Sequence, residues 1–180
     1  ASEGTATLEW GPDESLGNAE VSDGIASPGG AMHDVLLDGL SPSSAYYYRV
    51  ASGEASTLIY RFKTPPLPEA ESSFSFVAMS DMQKSNDDPD VFDEIVHQGV
   101  LDYFGGETSE EIALVLIPGD LVVNGNTYEQ WSGDFFAPSH DLFAQVPLYP
   151  VLGNHEVNST YYFQYFHLPE NGTPGYEEHW

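Results

Sequence analysis

No cysteine occurs in the 180 residues. Disulfide staples, thiolate nucleophiles and cysteine-ligated metals are therefore excluded, and the redox compartment cannot be read from thiol usage. Cations are nearly as scarce: Arg49, Arg61, Lys63 and Lys84 face 29 Asp and Glu, for a formal charge of −25. Phosphate neutralisation needs clustered cations, so this balance disfavours nucleic acids and anionic membranes as partners. No apolar run is long enough for a membrane span. There is no initiator Met and no signal peptide, so the chain is expected to be a mature or excised product. So acidic a surface suits a secreted, extracellular or periplasmic setting, including one of high salt that screens self-repulsion; a plain solvated acidic surface is the alternative. Apolar residues make up 41% of the chain, enough for one or two ordinary cores.

What is present falls into two rhythms. Residues 1–64 read as all-β. Ala6, Leu8 and Trp10 alternate with polar neighbours; His33, Val35 and Leu37 alternate likewise; Leu58, Tyr60 and Phe62 form a closing strand. The turn Leu40 to Ser44 before Tyr46, Tyr48 and Val50 has the sequence form of a tyrosine corner in a β-sandwich. No titratable cluster occurs there, so the module reads as structural. Residues 65–73, with Pro65, Pro66 and Pro68, form an extended linker.

From Phe74 strands and helices alternate. Buried strands are expected at 74–79, 112–117 and 146–152, with helices at about 89–104 and 127–136. The first helix would turn Phe92, Ile95, Val96, Val100 and Tyr103 to one face and stop at Gly105-Gly106. The aromatic-rich stretch 160–180 reads as irregular, its rings packing under the site or against structure outside the chain.

Each strand runs into metal-ligand types: Ser80-Asp81-Met82-Gln83, Pro118-Gly119-Asp120, and Gly153-Asn154-His155-Glu156. Parallel strands would bring these ends to one sheet edge. Carboxylates and amide oxygens are hard donors suited to iron, manganese or zinc. Metal there acidifies water and polarises a phosphoryl oxygen, with His155 beside Asn154 placed to donate a proton to a leaving oxygen. His97 and His140 read as surface residues of a helix and a loop. The run Asn86 to Asp90 reads as a solvated helix entry, with surface calcium as the weaker alternative. Asn158-Ser159-Thr160 and Asn171-Gly172-Thr173 fit the glycosylation acceptor pattern.

In combination these motifs resemble the calcineurin-like metallophosphoesterases. The preceding sandwich narrows the resemblance to the purple acid phosphatases, supported by His33 to Leu40, Tyr46 to Val50, Phe62 to Pro66 and Leu168 to Gly172. The resemblance implies a partial fibronectin-like or immunoglobulin-like sandwich over 1–64, then over 74–180 the front half of a four-layer α/β phosphoesterase domain. It implies two metal ions (Fe, Mn or Zn), with Asp81 on the first, Asp120 bridging both, Asn154 on the second, and His155 facing the phosphoester substrate.

Three departures are visible. Gln83 stands where that family has Gly or His, and a ligand role through its amide is set against that of a hydrogen-bonding loop residue. Val123 stands at the position of the purple enzymes' tyrosine, so an iron–tyrosinate colour is not expected. The family's later histidine motifs do not occur, so the chain is expected to be an internal portion of a longer phosphoesterase. The rival is a non-catalytic extracellular protein, self-assembling through exposed strand edges and keeping an incomplete phosphoesterase fold.

Overall fold

The structure is a computed structural model describing residues 4–168 and 173–176. The expectations that rest on Pro169 to Gly172, including the acceptor pattern at Asn171, fall outside the described residues. The chain divides into two compact units, Ala1–Ser73 and Phe74–Trp180.

In the first unit β1 (Thr5–Gly11), β2 (Asn18–Asp23), β5 (Ala45–Ser52), β6 (Ala55–Ser56) and β7 (Tyr60–Lys63) form one antiparallel sheet. Between them β3 (Ile25–Ser27) and β4 (Gly30–Met32) pair as a separate ribbon. The alternation at 33–37 is not a strand: its residues lie beyond the end of β4. Tyr46 is buried, stacks on its cross-strand partner Phe62 at 5.8 Å, and meets Trp10 at 6.0 Å. Its hydroxyl accepts the Ser41 N–H at 2.9 Å, tying the turn to the strand that follows. Burial, reinforced by Tyr60, pushes the Tyr48 phenol up to about 12, so that ring is neutral at ordinary pH.

In the second unit β8 (Ser75–Ala78), β9 (Ile112–Pro118) and β10 (Leu148–Val151) form a parallel sheet with β9 in the middle. Val115 and Ile117 are fully buried against the helices. Among the described residues the opposite face is open: Phe76 is 51% exposed, Tyr149 49% and Leu116 37%. The expectation of buried strands therefore holds for one face only. A continuous apolar run signals two covered faces in a parallel sheet, whereas helices cover a single face among the described residues.

Helix α1 runs over 91–104, with π winding at Ile95–Leu101. The wider i→i+5 turn keeps residues four apart on one face, so Phe92, Val96 and Val100 are buried and Tyr103 is 79% exposed. Gly105-Gly106 ends it as expected, but a short 3₁₀ turn and α2 (Thr108–Glu111) follow. Helix α3 spans 128–143 and is longer than its sequence pattern suggests. Its π segment Trp131–Phe136 gives way to α winding at Ala137, and the helix continues through Pro138. His140 accordingly lies in this helix and not in a loop. Within the stretch expected to be irregular, residues Thr160–Tyr165 form helix α4, capped by the Ser159 hydroxyl. Its Tyr162 is fully buried and donates to the Pro150 carbonyl at 3.2 Å, so these aromatics pack under the strand ends.

Candidate metal centre

Asp81, Asp120 and Asn154 lie two or three residues beyond the C-terminal ends of β8, β9 and β10. All three strands are parallel and adjacent, so their exits share one edge of the sheet. Direct hydrogen bonds link the exits. Gln83 N–H donates to the Asp120 carbonyl at 3.1 Å, and His155 N–H donates to Asp120 Oδ1 at 3.1 Å. The sequence reading is thereby located: Asp120 is held between the segment carrying Gln83 and the segment carrying Asn154 and His155.

Asp81 and Asp120 share an unusual backbone, with φ of 59° and 56°. Positive φ is uncommon for a residue with a side chain, and Asp tolerates it better than most. Two such residues at matching strand exits, each storing about 1–3 kcal/mol of strain, mark a place where geometry is imposed by the surrounding structure.

The glycines around Asp120 are required by close approach. A Cβ on Gly119 would sit 2.8 Å from the Gly153 Cα, and one on Gly125 would sit 2.3 Å from the Glu156 carbonyl oxygen. A Cβ on Gly153 would lie 2.1 Å from Asp120 Oδ1 and 2.3 Å from its backbone nitrogen. The two exit loops are thus in backbone contact. Gly125 extends the contact, its N–H donating to the His155 carbonyl at 2.9 Å while its own carbonyl accepts from Trp131 Nε1 at 2.7 Å and Ser159 Oγ at 2.6 Å.

His155 Nδ1 is 2.7 Å from the Val123 carbonyl oxygen. A carbonyl only accepts, so Nδ1 carries the hydrogen and Nε2 is the position at which a proton is taken or given. Val123, where the purple enzymes have tyrosine, contributes to this site through its backbone.

The donor chemistry fits a hard cation in part. Asp81 and Asp120 supply carboxylates, and Asn154 and Gln83 supply amide oxygens. Gln83 Oε1 is buried without a hydrogen-bond partner. No group of three or more His, Cys, Asp or Glu able to hold a metal occurs among the described residues, so this partial set leans on its two amides. His97 contacts Asp93 and Asp141, and His140 contacts Asp141. A cleft of about 310 Å³ between Met82, Lys84, Phe92 and Asp134 contains none of the expected ligands.

In the sequence Glu156 is only the last residue of the tetrapeptide Gly153-Asn154-His155-Glu156. It is fully buried, and its carboxylate accepts four backbone N–H groups: Asp120 at 3.0 Å, Leu121 at 2.9 Å, Val122 at 3.3 Å and Gly153 at 2.7 Å. An acidic residue following His at a strand exit was the available signal, but only the fold shows its partners.

Comparison with known proteins gives a consistent result. Residues 74–179 match the calcineurin-like phosphoesterase family. The chain is 26% identical to purple acid phosphatase 15 of Arabidopsis thaliana, over 71% of this chain and 26% of that protein. It is 27% identical to a phosphoenolpyruvate phosphatase of Allium cepa, over 71% of this chain and 24% of that one. It therefore spans about a quarter of the length of these relatives. In fold it is similar to a purple acid phosphatase from yellow lupin (Lupinus luteus) seeds, with a TM-score of 0.61 at 22% identity, covering 95% of this chain and 32% of that structure.

Proposed function

The chain belongs to the calcineurin-like phosphoesterase family, and on that premise we propose that it carries part of a dinuclear metal centre for phosphoester hydrolysis. The observation that supports this most is the linkage of three parallel strand exits around Asp120, with positive φ at both Asp81 and Asp120. In this reading Asp81, Gln83, Asp120 and Asn154 would hold the metal ions, Gln83 and Asn154 through their amide oxygens. Bound metal would supply Lewis acidity, acidifying a water and polarising the phosphoryl oxygen. The protein orients these ligands through the Asp120 and His155 backbone bonds. His155, with Nδ1 committed to the Val123 carbonyl, delivers its proton to the leaving oxygen from Nε2.

The same reading extends to the rest of the chain. Residues 1–64 form a fibronectin-like domain, 65–73 a Pro-rich linker and 74–180 the phosphoesterase portion; in support, Tyr46 has the hydroxyl bond of a tyrosine corner. The composition, four cations against 29 carboxylates, supports a secreted setting.

The test is hydrolysis of a model phosphomonoester by a protein that carries this chain together with the family's later histidine motifs, loaded with Mn²⁺ or Zn²⁺. Activity is expected to vanish with chelator, and His155→Ala is expected to lower kcat by about 10²–10⁴-fold without abolishing metal binding. Turnover that is indifferent to chelator, or equal in His155→Ala, would contradict the reading.

A further inference from the structure

We propose that Glu156 is a positioning residue, a buried carboxylate that fixes the separation of Asp120 from Asn154 by taking backbone N–H groups from both of their loops. The proposal rests on the reading of those two residues as metal ligands.

Three observations carry it. First, Glu156 Oε2 bridges the exits by itself, accepting from Asp120 at 3.0 Å and from Gly153, the residue before Asn154, at 2.7 Å. The backbones of two ligand-bearing segments are therefore spaced through a single atom. Second, Oε1 takes the next two amides of the β9 exit, Leu121 at 2.9 Å and Val122 at 3.3 Å, so the carboxylate follows three successive N–H groups of that loop. A carboxylate is an acceptor only, and four donors suit its two oxygens; no other side chain of this length offers two equivalent acceptors. Third, the side chain is fully buried beneath the exits. It therefore acts through the loops and not on substrate, which separates it from a catalytic role.

The packing explains why other residue types would not serve. A Cβ on Gly153 would come within 2.8 Å of Glu156 Oε2, so the glycine makes room for the bridge. Glutamine would keep the shape but turn an NH₂ group toward two N–H donors, leaving one pair of amides without an acceptor. The pair lost is either Asp120 and Gly153 or Leu121 and Val122. Aspartate would keep the charge but, one methylene shorter, would not span both loops.

The experiment compares wild type, Glu156→Gln and Ser139→Ala as full chains. Ser139 is equally buried, with its hydroxyl donating to the Phe135 carbonyl at 2.6 Å, and lies outside the site. Two readouts are taken: Mn²⁺ affinity by calorimetry, and amide hydrogen exchange in the metal-free protein. Glu156→Gln is expected to weaken Mn²⁺ binding about 10–100-fold, the usual cost of removing a residue that orients metal ligands. Exchange is expected to accelerate at one of the two amide pairs while β8 and β10 stay protected. Ser139→Ala is expected to lower the melting temperature and leave Mn²⁺ affinity unchanged.

Unchanged exchange at all four amides would overturn the proposal, as would wild-type Mn²⁺ affinity in Glu156→Gln or an equal loss in Ser139→Ala. If wild type binds no Mn²⁺, the ligand reading fails separately. Exchange then decides the positioning role: local loosening supports it, and unchanged exchange refutes it. Should Glu156→Gln not fold, Glu156→Asp is read by the same two measurements.

Discussion

Trp131→Ala lowers the stability of the 74–180 unit by about 3–5 kcal/mol, the range for emptying a large aromatic site in a packed core. Trp131 is fully buried, with Tyr165 at 5.6 Å, Phe135 at 6.1 Å, Phe166 at 6.2 Å and Phe136 at 6.4 Å. It joins α3 to the end of α4 and to Phe166 just after it, so the cavity cannot close by moving one element. The indole also donates to the Gly125 carbonyl, but Ser159 donates to the same oxygen, so little of the loss comes from that hydrogen bond. Trp131→Phe, which keeps most of the volume, should therefore cost well under half as much. Urea unfolding followed by far-ultraviolet circular dichroism measures both, with the two units fitted as separate transitions. A cost below about 1 kcal/mol for Trp131→Ala would show that the site loops do not rest on this cluster.

Gly153→Ala is the second large effect, and it falls on the site as well as on stability. The new methyl would lie 2.3 Å from the Asp120 backbone nitrogen, an atom that cannot move aside as a side-chain tip can. Overpacking of this kind costs about 1–3 kcal/mol. Relief requires the β9 and β10 exits to separate, so metal affinity is expected to fall more than tenfold, as when the residues that orient ligands are disturbed (about 10–100-fold). Gly133→Ala supplies the contrast, because a Cβ there meets nothing within 4 Å. In a helix that substitution is expected to stabilise by about 0.4–1 kcal/mol and leave metal binding unchanged. Titration calorimetry and thermal unfolding of both variants check the pair. Equal behaviour of the two alanines would sink the claim that the exits touch.

Some of this architecture was visible in the sequence because it is written in local signals. Apolar runs ending in Asp81, Asp120 and Asn154 announce strands that deliver polar groups, and the parallel sheet brings those exits to one edge. What the sequence concealed depends on neighbours. The exposed face carrying Phe76, Leu116 and Tyr149 looks the same in sequence as a doubly buried strand. Helix α3 continues past Pro138 with a change of winding at Ala137, which no residue count reveals. Tyr103 faced inward in a 3.6-residue projection and faces outward after the wider π segment Ile95–Leu101. At the site, Glu156 was an acidic residue after a histidine until the fold supplied its four amide partners. Gly119, Gly125 and Gly153 likewise mark backbone approaches between segments distant in sequence.

Metal titration of the full chain tests the central claim most directly. With a formal charge of −25, weak surface binding of divalent cations is unavoidable, so the comparison must be between variants and at a salt concentration that screens the surface. The account predicts saturable Mn²⁺ binding that Asp120→Asn weakens by about tenfold or more. Asp102→Asn, which removes an equal charge from an exposed position on α1, should leave that binding intact. Equal Mn²⁺ binding in Asp120→Asn and Asp102→Asn would mean that only the acidic surface binds metal, and would contradict the assignment of the strand exits as a metal centre.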